Sequence, residues 1–188
     1  MKKRIEFIDF AEFQLLYSKC KNRELRLAIA LGYGSGLRIS EILGYKRSWR
    51  YIKKEKVEDL TEIPPLTSDM VNLEKHQIRL DDAKGGKWRI VPVSPLVKPE
   101  HLKMLPLKVK RRTLQNRFKT HAQRVLGKNI SFHILRHGFG NYMVNVKKLP
   151  ITMVQGLMGH SSVAVTGIYA KANPEEAINE AWKAMGGQ

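Results

Sequence analysis

The chain has a single cysteine, Cys20, in 188 residues. An intrachain disulfide is therefore excluded, a reducing compartment fits, and a buried apolar thiol is the simplest role for that side chain. No apolar run approaches the roughly 18–20 residues that a bilayer-spanning helix needs, and no signal-peptide pattern opens the chain. Acidic residues are scarce: 17 Asp+Glu stand against 34 Lys+Arg, a formal charge of +17. So large a surplus points to a polyanionic partner, nucleic acid ahead of an anionic membrane surface. Gly34-Ser35-Gly36 lacks both the Lys-Ser/Thr of a P-loop and the full G-x-G-x-x-G spacing, which leaves a structural turn. Internal repeats and low-complexity segments are absent. What is present is 43% apolar residues, enough for a globular core in a chain of this length.

Along the chain, Asp9 is positioned to cap a helix through about Cys20, with Phe10, Phe13, Tyr17 and Cys20 on one stripe. Asn22 caps a second helix carrying Leu25, Ala28 and Ile29. Gly32, Gly34 and Gly36 then break the periodicity into a tight turn. Arg38 opens a short helix whose apolar face is Ile39, Ile42 and Leu43, and Glu41 lies three residues on, within pairing reach. Residues 45–64 hold a basic run including Lys46, Arg47, Arg50, Lys53, Lys54 and Lys56, the composition of a solvated loop. Leu73–Leu80 and Trp88–Val93 alternate around Lys84-Gly85-Gly86-Lys87, a hairpin signal. Prolines from Pro95 to Pro106 mark an irregular connection. A helix follows from Thr113 to about Leu126, with Leu114, Phe118 and Val125 inward. Lys108, Lys110, Arg111, Arg112 and Arg117 belong to the densest basic patch, suited to phosphate contacts rather than base readout.

The most informative stretch is Ser131–Tyr169. Ser131 is a candidate N-cap for a helix on which His133 and Arg136, three apart, share a face. Such a pair suits an anion, because guanidinium binds phosphate bidentately. Pro150 opens a short helix with Ile151, Val154 and Leu157 apolar, ending at Gly159 in the left-handed cap position. His160 follows at that helix end, and Tyr169 comes after a further short helix capped by Ser161 or Ser162. These clusters lack metal-ligand spacing and contain no Ser-His-Asp set. They describe a phosphate grip with a phenol nearby.

H-x-x-R over His133–Arg136, followed by the Leu157–Tyr169 pattern L-x-G-H-S-S-x-x-x-T-x-x-Y, resembles the tyrosine recombinase (phage integrase) family. Upstream, Gly36-Leu37-Arg38-Ile39-Ser40-Glu41 and the hairpin lysine Lys84 match the family's other two motifs, so the likeness covers nearly the whole chain. The resemblance implies an α+β, mainly helical catalytic-domain fold with a small antiparallel sheet. It implies site-specific DNA recombination or integration, by cleavage and rejoining through a 3′-phosphotyrosine link and without metal or organic cofactor. Arg38 and Arg136 would hold the phosphate, His160 would add a hydrogen bond, and Tyr169 would attack. His133 would take the phenolic proton, and Lys84, in preference to Lys87, would protonate the leaving 5′-oxygen. Glu41 would orient the backbone or Arg38.

Residues 1–188 are then one catalytic domain, beginning without the N-terminal DNA-clamping domain usual in the family. The basic segment 45–64 is an insertion relative to that family, as able to contact the phosphate backbone through Lys46 and Arg47 as to be merely solvated; Lys87 would be a further DNA contact. Asn173-Pro174-Glu175-Glu176 starts a helix over 173–188 with Ala177, Ile178, Ala181, Trp182 and Met185 on one face. That face either folds back or docks on a second copy bound to DNA. The expected partner is double-stranded DNA and the expected location the cytoplasm, at the nucleoid. A type IB topoisomerase, sharing the chemistry, and a DNA-binding relative without catalysis are the competing readings.

Overall fold

The computed structural model describes residues 7–52, 55–81 and 88–159. Helix α1 (Phe10–Ser18) starts from a reciprocal cap: Asp9 accepts the Glu12 N–H at 2.8 Å and Glu12 accepts the Asp9 N–H at 3.3 Å. Phe13 and Leu16 are buried, but Phe10, expected on the same inward stripe, is 39% exposed. Its ring stacks on Tyr142 at 5.0 Å and covers the core from outside.

Helix α2 (Arg23–Gly34), capped by Asn22 on the Leu25 N–H at 2.9 Å, is the central element. It is buried from Leu27 through Tyr33, and α1, α3, α5 and α6 all pack on it. Each fully buried Leu or Ile contributes about 1.5–3 kcal/mol. The expectation that three glycines break the chain here is corrected: α2 runs through Gly32 and Gly34, and only Gly36 takes a left-handed backbone, φ +67°. The first two are contact glycines. A Cβ on Gly32 would lie 3.0 Å from Leu135, and one on Gly34 would collide with the Ser94 side chain. The Ser94 N–H donates to Ser35 Oγ at 3.0 Å, fastening the end of α2 to the chain leaving the sheet.

After α3 (Ile39–Leu43), strands β1 (Tyr45–Ile52) and β2 (Glu55–Ile63) pair antiparallel, with Tyr45 opposite Ile63 and a register shift between Arg47 and Trp49. Residues 45–64, expected as a solvated loop, are thus mostly a ribbon. Tyr45, Trp49, Tyr51 and Ile52 on β1 and Val57, Thr61 and Ile63 on β2 are strand-forming residue types whose signal the lysines obscured. A second sheet, ordered β3 (Val71–Asn72), β4 (Gln77–Asp81), β5 (Trp88–Pro92), is antiparallel throughout. The expected hairpin is present, with Leu73–His76 spent on a turn instead of a strand.

The proline-rich connection contains a single helical turn, α4 (Pro99–Leu102). Helix α5 (Arg111–Leu126) begins two residues before Thr113, buries Leu114, Phe118 and His121, and stops at left-handed Gly127. His121 is structural: its Nε2–H donates to the Leu16 carbonyl at 2.8 Å, leaving Nδ1 to accept from Arg124 at 3.1 Å. Helix α6 (His133–Asn141) has Phe132, not Ser131, at its N-cap position. Burial of Phe132 edge-on to Phe118 decides that start, and Ser131 contributes only its carbonyl, to the Ile134 N–H at 3.1 Å. A π turn (Tyr142–Val146) leads toward α7 (Ile151–Met158), which packs on β5 and ends at Gly159, φ +59°, as its sequence indicates. Among the described residues no helix is long and apolar enough to cross a membrane.

Candidate active site

Gly36 sends the chain from α2 into α3 where any side chain would strike the Phe139 ring, at 2.6 Å from a Cβ. The turn places Arg38 at the N-cap of α3. Its backbone N–H donates to Glu41 Oε2 at 2.6 Å and its Nη1 to Glu41 Oε1 at 2.8 Å. This is more than a surface pair, since the Glu41 side chain is only 8% exposed. Arg136, on the inner face of α6, is 2% exposed. Its Nη1 donates to the Gly36 carbonyl at 2.6 Å and its Nη2 to the Met158 carbonyl. Arg38 Nη2 reaches the next carbonyl, that of Gly159, at 3.4 Å. Two guanidinia from distant parts of the chain therefore meet at consecutive peptide oxygens, where the partial negative charge of the α7 terminus attracts them.

A third arginine joins them that sequence reasoning passed over. Arg89 of β5 donates from Nη2 to Glu41 Oε1 at 2.6 Å. Cross-strand from buried Leu80 and in phase with buried Val91, it points inward while Trp88 and Ile90 face out. The available signal was a charged residue at the inward phase of an alternating strand.

Burial pushes the Glu41 carboxyl up, but Arg89, Arg38, the Arg38 N–H and Arg136 outweigh it and hold the group below the ordinary carboxylate range. His133 stands at the solvent edge of the group. Partial burial of its ring, then His137, Arg136 and Arg38, pull its pKa down to about 4 against a weaker opposing pull from Glu41. The imidazole is neutral near pH 7. His137, edge-on to His133 at 4.6 Å between ring centroids, is also held below the ordinary histidine range, by burial and then by Arg136.

Arg38, His133 and Arg136 are thus brought together. Lys84, Lys87, His160 and Tyr169 lie outside the described residues. Lys46 is exposed on β1 and pairs with Glu62 at 3.4 Å; Arg47 lies opposite Thr61. Lys108, Lys110, Arg111 and Arg112 are exposed at the start of α5, where Arg111 covers the Tyr45 ring at 5.5 Å. Arg117 is exposed and pairs with Glu24 at 3.3 Å. Among the described residues no group of three or more His, Cys, Asp or Glu is placed to hold a metal ion.

The model of the phage integrase family matches residues 106–176, a span that takes in α5, α6 and α7. Tyrosine recombinase XerA of Pyrococcus horikoshii is 28% identical over 191 residues, covering 90% of this chain and 59% of its own. Over residues 106–176 the chain is thus similar to the phage integrase family, and over most of its length to tyrosine recombinases. The catalytic domain of bacteriophage HP1 integrase superposes with a TM-score of 0.60 at 21% identity, covering 93% of this chain and 94% of that domain. The Tn1549 transposon integrase, solved in complex with a circular intermediate DNA, gives 0.68 at 16% identity, covering 97% and 67%. The fold is accordingly that of a tyrosine recombinase catalytic domain. The chain spans between about half and three-fifths of the length of the curated XerA relatives it matches.

Proposed function

We propose that this chain is a catalytic domain that cleaves and rejoins double-stranded DNA for site-specific recombination or integration. The observation that carries the reading is the convergence of Arg38 and Arg136 on consecutive carbonyls at the end of α7, directly before His160. Breaking a phosphodiester in this way requires fixed positive charge where the non-bridging oxygens gain charge, and two arginines supply it permanently. Tyr169 Oη bonds to the scissile phosphorus while the bond from phosphorus to the 5′-oxygen breaks. The phenolic proton passes to neutral His133, and Lys84 protonates the departing 5′-oxygen. A second 5′-hydroxyl then reverses the step, reforming the phosphodiester and releasing the phenol. Residues 1–188 form the domain. Lys46, Arg47, Lys87, Lys108, Lys110, Arg111, Arg112 and Arg117 attract the DNA backbone, and the segment 173–188, which lies outside the described residues, joins copies assembled on DNA.

The test incubates the chain with nicked duplexes of randomised sequence and recovers any covalently attached DNA. Adduct from the wild-type chain that disappears in Tyr169→Phe, with DNA binding retained, supports the reading. DNA binding without adduct on any sequence refutes it and leaves a binding module.

A further inference from the structure

Arg89 ends the Lys84–Arg89 hairpin stretch with no role assigned to it in the catalytic set, yet it holds Glu41 closely. Its contact with Glu41 Oε1, 2.6 Å, is shorter than the 2.8 Å of Arg38 to the same oxygen. The other carboxylate oxygen is taken by the Arg38 N–H. Arg38 thus holds both oxygens, but from one short helix of its own chain segment. A second guanidinium arriving from β5 shares Oε1 and ties the carboxylate, and Arg38 with it, to the sheet.

The opposite side of Arg89 is equally constrained. Its Cδ, Cζ and Nη1 lie 3.0–3.1 Å from where a Cβ on Gly159 would be, so the guanidinium fills the space that the left-handed glycine leaves. Gly159 is also the residue whose carbonyl accepts from Arg38. Arg89 therefore touches both things that determine where Arg38 points. It has the burial of a strut: its side chain is 14% exposed and its Nε is buried without a partner among the described residues. An unsatisfied buried donor is costly, and a valine like the neighbouring inward Val91 would avoid that cost. Packing alone does not account for an arginine here.

We infer that Arg89 is a positioning residue for strand cleavage: it sets Arg38 through Glu41 and Gly159 and makes no contact with DNA. The inference rests on the cleavage reading above. The guanidinium is engaged with the Glu41 carboxylate on one side and packs toward the Gly159 turn on the other.

The experiment measures single-turnover cleavage at saturating enzyme on the duplex selected above, together with the Kd for that duplex and the melting temperature. Arg89→Gln should slow cleavage by about a hundredfold, the scale of a misplaced reacting group, with Kd unchanged. Arg89→Lys keeps the charge and one bond to Glu41 but not the flat packing on Gly159. It should recover part of the rate, remaining roughly tenfold slow. A merely stabilising residue would lower the melting temperature and leave the rate of the folded enzyme alone. Wild-type rates in both variants, or a Kd that weakens in step with the rate, overturn the inference. If Arg89→Gln does not fold, Arg89→Lys decides by the same two outcomes. Absence of adduct from the wild-type chain would instead sink the cleavage reading and this inference with it.

Discussion

Two groups of cations in this chain obey different physics. Arg38, Arg89 and Arg136 end on one carboxylate and on main-chain carbonyls, and Arg136 is wholly enclosed. Lys108, Lys110, Arg111, Arg112 and Arg117 stand in solvent at and along the start of α5, where among the described residues the one carboxylate contact is Arg117 with Glu24 at 3.3 Å. A surface pair of that kind contributes between nothing and about 1 kcal/mol, whereas an enclosed cation depends on every partner it has. Direction and field are thereby separated. The inner group can aim charge at a single atom, and the outer group can only raise the local concentration of a polyanion.

The sharpest way to break this contrast is to remove the acceptor that two of the inner arginines share. Glu41→Gln should destabilise the fold by about 3 kcal/mol, because Arg38 and Arg89 lose their common carboxylate; urea unfolding measures it. A loss near that of a surface pair would mean the two groups do not differ. Glu41 is held below its ordinary pKa, so its contribution is complete above the unfolded carboxylate value and disappears as pH falls through the folded one. Arg136→Lys comes next: single-turnover cleavage should fall by about 10²–10³ with DNA affinity nearly unchanged, the mark of a cation that acts on the transition state. The outer group should respond the other way. Replacing Lys108, Lys110, Arg111 and Arg112 by alanine should weaken binding, with cleavage at saturation intact. The salt dependence of log K should become shallower by up to about 0.9 for each phosphate no longer neutralised.

His133 gives a smaller effect with a definite sign. Its folded pKa of about 4 lies below the ordinary histidine value, so the unfolded chain binds the extra proton first and stability rises with pH across that interval. His133→Asn should flatten that slope by less than about 1 kcal/mol, since the residue is open to solvent, as thermal melts across the interval would record. Arg117→Ala should change stability by no more than about 0.5 kcal/mol.

How far the sequence exposed this arrangement depended on which physical signal each residue carries. Arg38, His133 and Arg136 were legible because they sit in short motifs of fixed spacing, although α6 starts from Phe132 and not from Ser131. Arg89 was not, because β5 turns Trp88 and Ile90 outward and the arginine inward, the reverse of the phase that hydrophobicity suggests. The β1–β2 ribbon was hidden for a related reason: charge density reads as solvation, while the aromatic residues set strand pairing. Gly32 and Gly34 read as breaks in the sequence, yet they are places where Leu135 and Ser94 approach a continuous helix. That distinction lies in a neighbour's position rather than in the residue itself.

Since Arg136 and Arg38 are caught by the carbonyls of Met158 and Gly159, the length of α7 becomes a ruler measured from Pro150. Each residue added to or removed from that helix would swing its last peptide oxygens by about 100° and lift them away from both guanidinia. The segment from 150 to 159 should accept exchanges of side chain far more readily than any change in its count.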